Sequence, residues 1–178
     1  AQAFVRANSL DKVVLDSPNP RLGIVTTGKA YLDLRQALDE LGIDEKAAAE
    51  LGISIYKVAM TWPLEPQGAI GFCKGLEQIL VVEEKRGLIE DQLRKLLYHV
   101  DDAPRSIVGK TTEDNEPLLP EKGELSPALV AGALIKRIQK FQPDTRTFAP
   151  HLARLESIEA AAMQTPSPTW APRAPMAA

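Results

Sequence analysis

The sequence predicts a three-layer α/β/α domain with a mostly parallel sheet of about five strands, the first of them antiparallel to the rest. Three observations carry that expectation. Short, apolar, β-branched runs alternate with amphipathic stretches of roughly ten to fifteen residues, which is the pattern of successive βαβ units. The run Gln78-Ile79-Leu80-Val81-Val82-Glu83 is apolar without a break at its centre, as a strand covered on both faces must be. The first two apolar runs are joined by a tight Ser17-Pro18-Asn19-Pro20 turn, which favours an antiparallel, hairpin-like start.

Each element has its own local reason. Lys12-Val13-Val14-Leu15-Asp16 reads as the first strand, and Leu22 through Thr27 as the second, ended by Gly28. A helix over 31–41 follows, with Tyr31, Leu34, Leu38 and Leu41 on one face and Asp33 off it. Gly42-Ile43 then matches a Schellman stop, a left-handed glycine followed by an apolar residue. Asp44 is placed to cap a short helix over 45–51, which stops in the same way at Gly52-Ile53. Residues 53–60 alternate as a third strand, broken by Trp62-Pro63-Leu64-Glu65-Pro66.

A glycine-weakened helix over 67–76 leads into the central run, and 88–100 is an amphipathic helix. Ser106 to Gly109 is a fifth short strand, and 111–122 is a polar loop. Ser126-Pro127 pairs a hydroxyl cap with proline at the first helical position, opening a helix to about 141. A last helix over 152–163 precedes a stretch, 165–178, that carries four prolines and reads as a linker or tail. The expected organisation is therefore one α/β domain over 1–150, then a terminal helix and Pro-rich segment over 151–178. The opening Ala1-Gln2-Ala3, without Met, points to a piece of something longer.

Composition narrows the chemistry. A length of 178 residues, 44% apolar and 25% charged, suits one globular domain, and a net charge of −3 gives no reason to expect nucleic acid or an anionic membrane as partner. No apolar run reaches the roughly 20 residues of a membrane span. The single cysteine, Cys73, rules out an intrachain disulfide and a four-thiolate cluster, which suits a reducing, cytoplasmic setting. Its helical, apolar neighbourhood suggests a buried, inert thiol. The two histidines, His99 and His151, are far apart and belong to no metal-ligand spacing.

In open α/β sheets ligands bind beyond the carboxyl ends of the strands. The residues expected there are Thr26, Thr27, Gly28 and Lys29, then Trp62, then Glu83, Glu84, Lys85 and Arg86, with Gly109 and Lys110 after the last strand. Thr26-Thr27-Gly28-Lys29 opens a helix and so offers backbone donors to a phosphate, but it lacks the spaced glycines of a phosphate loop. Glu83 and Glu84 are adjacent in a strand and point to opposite faces, so they do not form an acid/base couple. One is expected to face the crevice and the other to pair with Lys85 or Arg86. Trp62 reads as a loop anchor or an interface filler more than as a stacking surface for substrate. No serine sits in a nucleophile elbow and no catalytic constellation assembles.

Four segments resemble, in order, the indolepyruvate ferredoxin oxidoreductases. They are LGIVTTGKAYLD from Leu22, YKVAMTWPLEP from Tyr56, ILVVEEK from Ile79 with IEDQ from Ile89, and GELSP from Gly123. In that family this stretch resembles the domain equivalent to the C-terminal domain of transketolase, which implies a sandwich with one antiparallel strand. The resemblance implies a parent enzyme that uses thiamine diphosphate, Mg²⁺, iron–sulfur clusters and CoA to decarboxylate arylpyruvates oxidatively to acyl-CoA. Its electrons would pass to ferredoxin. This sequence has neither the Gly-Asp-Gly…Asn diphosphate motif nor a cysteine cluster, so no catalytic residue is carried over and no cofactor is expected on this piece.

The leading expectation is thus a structural and interface domain, inactive alone, packed against other domains or subunits of the same oxidoreductase or against a second copy. A different class is a stand-alone CoA- or nucleotide-binding module using Thr27, Gly28, Lys29, Lys85 and Arg86.

Overall fold

Burial on both faces fixes the middle of the sheet. In the computed structural model, which describes residues 1–164, strand β2 (Leu22–Thr27) buries every residue from Leu22 to Thr26. It lies parallel to β3 (Ile53–Val58) on one side and to β4 (Gln78–Val82) on the other. The order is β1-β3-β2-β4-β5, with β1 (Lys12–Leu15) at one edge and β5 (Ser106–Val108) at the other. Only β1 runs antiparallel, and it pairs with β3 in a register that shifts between Val13 and Leu15.

The antiparallel first strand agrees with the sequence expectation, but the hairpin does not. β1 and β2 are consecutive yet not hydrogen-bonded to each other, because β3 is inserted between them. Proline supplies the reason: Pro18 and Pro20 carry no N–H with which to close a tight ladder. Ser17 is held instead by β3 and the helix before it, its N–H donating to Ser54 Oγ (2.9 Å) and its hydroxyl to Ala49 O (3.1 Å). β3 is also buried on both faces at all but Lys57, so its apparent alternation was not a half-buried pattern.

Helices cover both faces. On one side α2 (Gly28–Glu40), α3 (Glu45–Leu51), α6 (Pro127–Ile138) and α7 (Ala149–Gln164) pack a core of Leu22, Ile24, Leu34, Leu38, Leu80, Val108 and Leu134, into which α7 contributes Leu155. On the other, α4 (Pro66–Cys73) and α5 (Leu88–Leu97) enclose Val25, Ile79, Val81, Ile89, Leu93 and Cys73. Gly23 lets the end of α4 and the turn after it approach, since a Cβ there would collide with Leu76 and crowd Phe72. The helix ends behave as their sequences require. Gly42 takes φ +71° and Ile43 N–H donates to Leu38 O (2.9 Å), the Schellman pattern. Asp44 accepts from Ala47 N–H (2.8 Å), and Ser126 from Leu129 N–H ahead of Pro127.

Two elements lie outside the sequence expectation. The six-residue α1 (Gln2–Ala7) is too short to show a period, and it is docked by side chains. Gln2 Nε2 donates to Leu64 O (2.8 Å), and Arg6 pairs with Glu65 (2.6 Å), whose carboxylate also caps α4. A 3₁₀ turn (Arg146–Phe148) leads into α7. The Pro-rich segment expected over 165–178 lies outside the described residues.

Candidate functional site

Four parallel strands end on the same rim, so the residues after β2, β3, β4 and β5 meet there. Thr26 is fully buried in β2, and its hydroxyl has no hydrogen-bond partner. Thr27 turns its hydroxyl to the neighbouring strand and donates to Val58 O (2.8 Å). Gly28 takes φ +52° as α2 begins.

Lys29 is fully engaged. Its Nζ donates to both oxygens of Asp33 (2.9 and 3.1 Å) and to Leu125 O (2.9 Å), and it pairs with Glu124 (3.3 Å) and Glu84 (3.7 Å). The hydrogen bond it donates to Asp33 is the largest reason its ammonium is held above the ordinary lysine range. Asp33, expected off the buried face of α2, is only 7% exposed because it lies in this contact.

Glu83 and Glu84 do point apart, but neither pairs with Lys85 or Arg86. Glu83 is 4% exposed, and its carboxylate accepts from the N–H groups of Ile89 (2.9 Å) and Glu90 (3.0 Å), closing the first turn of α5. Burial raises its carboxyl above the ordinary range despite those bonds. Glu84 instead faces Lys29 and accepts from Leu125 N–H (3.4 Å). Lys85 donates to Gly123 O (3.0 Å), while Arg86 is exposed and makes no ion pair among the described residues.

Sequence reasoning placed Lys110 on the rim without showing its burial. It is 7% exposed, and its Nζ donates to Glu83 O (2.6 Å) and Pro120 O (3.2 Å), so it ties β4, β5 and the 111–122 loop together. Burial pushes its ammonium below the ordinary range. Its N–H donates to Glu90 Oε2 (2.9 Å), and Arg94 holds the other oxygen of that buried carboxylate (2.6 Å). Gly109 makes this possible, since a Cβ there would stand 2.5 Å from Glu90 Oε2. The signal in the sequence was the Gly-Lys pair directly after a strand.

Trp62 is 66% exposed, so it does not anchor its own loop. Gln92 does that work: its Oε1 accepts from Leu64 N–H (2.8 Å) and its Nε2 donates to Thr61 O (2.8 Å) and Leu88 O (2.9 Å). The same side chain therefore fixes the Trp62 loop to the start of α5, where Leu88 is 43% exposed.

The cavity of about 410 Å³ beside Lys29 does not fit a diphosphate, since it is also lined by Asp33, Glu124 and Glu159, three carboxylates against one ammonium. The N-terminus of α6, the other source of backbone donors, is filled by Glu159, which accepts from Ser126 Oγ (2.8 Å) and Ala128 N–H (2.9 Å). Among the described residues no group of three or more His, Cys, Asp or Glu is disposed to hold a metal ion, and no helix is long and apolar enough to cross a membrane.

Curated relatives match over part of the chain. The chain is 32% identical over 79 residues to the indolepyruvate oxidoreductase subunit IorA of Thermococcus kodakarensis, covering 44% of this chain and 11% of that protein. It is 31% identical over 87 residues to the same subunit of Methanothermobacter marburgensis, covering 48% and 13%. The matches thus span about a tenth of the length of these relatives. Among solved structures the chain is similar to a split-gene transketolase, an inactive beta4 tetramer, at 16% identity over 72% of this chain and 41% of that one, with a TM-score of 0.49. It is similar at 17% identity to a 2-oxoglutarate:ferredoxin oxidoreductase from Magnetococcus marinus, over 76% and 22%, with a TM-score of 0.47. The profile of the indolepyruvate oxidoreductase domain matches residues 12–162, which takes in all five strands of the sheet, and by that match the chain belongs to the indolepyruvate oxidoreductase domain family.

Proposed function

We propose that this domain is a structural and interface part of a thiamine-diphosphate-dependent indolepyruvate (2-oxoacid) ferredoxin oxidoreductase, and that it performs no chemical step itself. The parent enzyme decarboxylates arylpyruvates oxidatively to acyl-CoA in the cytoplasm and passes electrons to ferredoxin. Thiamine diphosphate, Mg²⁺, iron–sulfur clusters and CoA are held by its other domains or subunits. The observation that carries this reading is the state of the strand-end rim. Lys29, Glu83, Glu84 and Lys110 spend their charges within the domain, while Trp62 and Leu88, joined through Gln92, are left exposed. Spent charges beside exposed aromatic and aliphatic side chains suit a surface that another protein surface covers. Thr26, Thr27, Gly28, Lys85 and Arg86 complete that rim.

Two measurements test it. The isolated chain, given indolepyruvate, thiamine diphosphate, Mg²⁺, CoA and ferredoxin, forms no acyl-CoA; turnover would overturn the reading. In the assembled enzyme, Trp62→Ala with Leu88→Ser weakens association of this domain with its neighbours, while the isolated chain loses only about 0.5 kcal/mol. Unchanged association, by light scattering or sedimentation, would remove the rim from the interface.

A further inference from the structure

A second concavity, of about 450 Å³, lies where β1, β3 and α4 meet, and no rim residue lines it. Its aromatic wall is Tyr56 stacked on Phe72, with ring centroids 5.1 Å apart and planes at 21°. Val13, 47% exposed on the edge strand, lines it as well.

Two polar side chains, Tyr56 and Asp11, line this hollow. Tyr56 is 5% exposed. Burial, followed by the charges of Asp11 and Glu65, holds the phenol above its ordinary range, so it keeps its proton. Asp11 Oδ1 accepts from Ala59 N–H (2.7 Å), but Oδ2 is buried with no partner. A buried carboxylate oxygen left without a partner at the wall of a cavity is costly unless something meets it.

Charge and shape say what would. Asp11 and Asp16 line the hollow against Lys74 alone, two negative charges to one positive, leaving a net −1. Aromatic faces also favour a cation. The floor belongs to α4, which carries Gly68 and Gly71 one turn apart despite the cost of glycine within a helix. At Gly68 a Cβ would stand 2.5 Å from the Tyr56 hydroxyl, and at Gly71 it would meet nothing within 4 Å. Small residues here keep the cavity open.

We infer that this hollow binds an organic cation, a primary ammonium or guanidinium on a flat apolar body, with its N–H groups on Asp11 and its body against Tyr56 and Phe72. The cation is either a free arylalkylamine or the arginine side chain of an adjoining polypeptide.

The test uses the whole 178-residue chain and three probes: phenethylamine, hydrocinnamate (the same ring and spacer with the opposite charge) and acetylarginine amide. The readout is the ring resonances of Tyr56 and Phe72 and the methyls of Val13. At least one of the two cations shifts them saturably by about 10 mM, and hydrocinnamate does not. Asp11→Asn, which keeps an acceptor for Ala59 N–H, weakens binding about tenfold or more. Gly71→Leu, whose side chain enters open space, abolishes it without lowering the melting temperature. Tighter binding of phenethylamine assigns the site to a free amine, and tighter binding of acetylarginine amide to a partner's arginine. No shift with either cation, equal binding of hydrocinnamate, or full binding by Gly71→Leu would overturn the inference.

Discussion

Arg137, far from the rim, gives the sharpest energetic prediction. Its guanidinium is buried at the starts of β4 and β5, where Nε donates to Gln78 Oε1 (2.7 Å), Nη1 and Nη2 to the Glu113 carboxylate (2.9 and 2.5 Å), and Nη2 to Ser106 Oγ (3.2 Å). The pair is asymmetric, because the arginine side chain is 3% exposed and that of Glu113 is 34%. Removing one partner of a fully buried pair costs about 3–5 kcal/mol. Here Glu113→Gln keeps one acceptor and leaves Arg137 its bonds to Gln78 and Ser106, so the expected loss is about 2 kcal/mol. That is about 4–8 °C in melting temperature for a domain of this size. Arg137→Met strands no charge, because Glu113 can rehydrate, but it leaves the buried Gln78 Oε1 without its donor, so it should cost about 2 kcal/mol.

Either change therefore leaves one buried polar group short of a partner. The guanidinium holds the Glu113 carboxyl well below the usual range, so the folded value lies below the unfolded one. Its contribution is complete above the unfolded value, about 4.3, and is lost as pH falls through the folded one. Urea unfolding followed by circular dichroism at about pH 7, 5 and 3 should thus show the gap between native protein and Glu113→Gln narrowing toward acid. A constant gap, or a gap under about 0.5 kcal/mol at pH 7, would refute the reasoning.

Three further outcomes follow from buried groups elsewhere. Gly109→Ala forces a methyl to within 2.5 Å of Glu90 Oε2 and 3.0 Å of Val81 O; thermal melts should record a loss of about 2–3 kcal/mol. Glu83 has the opposite sign to Glu113: its folded carboxyl binds a proton more tightly than the unfolded one, so its contribution is full at low pH and is lost as pH rises through the folded value. Glu83→Gln should remove that decline, and a profile that still falls in the same window would assign it to another group. Cys73 is fully buried and burial pushes its thiol up to about 12; at pH 8 its modification by a thiol reagent should follow the rate of global opening, and fast labelling of the native chain would contradict its packing.

What could be read from the sequence was set by chain-local physics. The central strand announced itself because Ile79 to Val82 must be apolar on both faces, and Gly42-Ile43, Asp44 and Ser126-Pro127 are signals whose partners lie within a few residues. The hairpin misreading arose because a tight connection implies direction but not adjacency, and the partner of β1 lies some forty residues onward. The ion pairs of the rim escape the sequence for a similar reason. The residues that engage Lys29 include Glu84 and Leu125, and the one that plugs α6 is Glu159. No spacing rule links such distant positions, so Glu83 and Glu84 were matched to the nearest cations in sequence, Lys85 and Arg86.

The order β1-β3-β2-β4-β5 leaves one flank of the sheet closed only by β1. That strand is four residues long, begins with Lys12 and changes register after Val13. An outer strand that is brief, charged at its start and kinked makes a poor template for a stranger's backbone. During synthesis it also has nothing to pair with until β3 emerges. That flank of the sheet thus ends on a poorly adhesive piece, a safeguard against fibrous self-association.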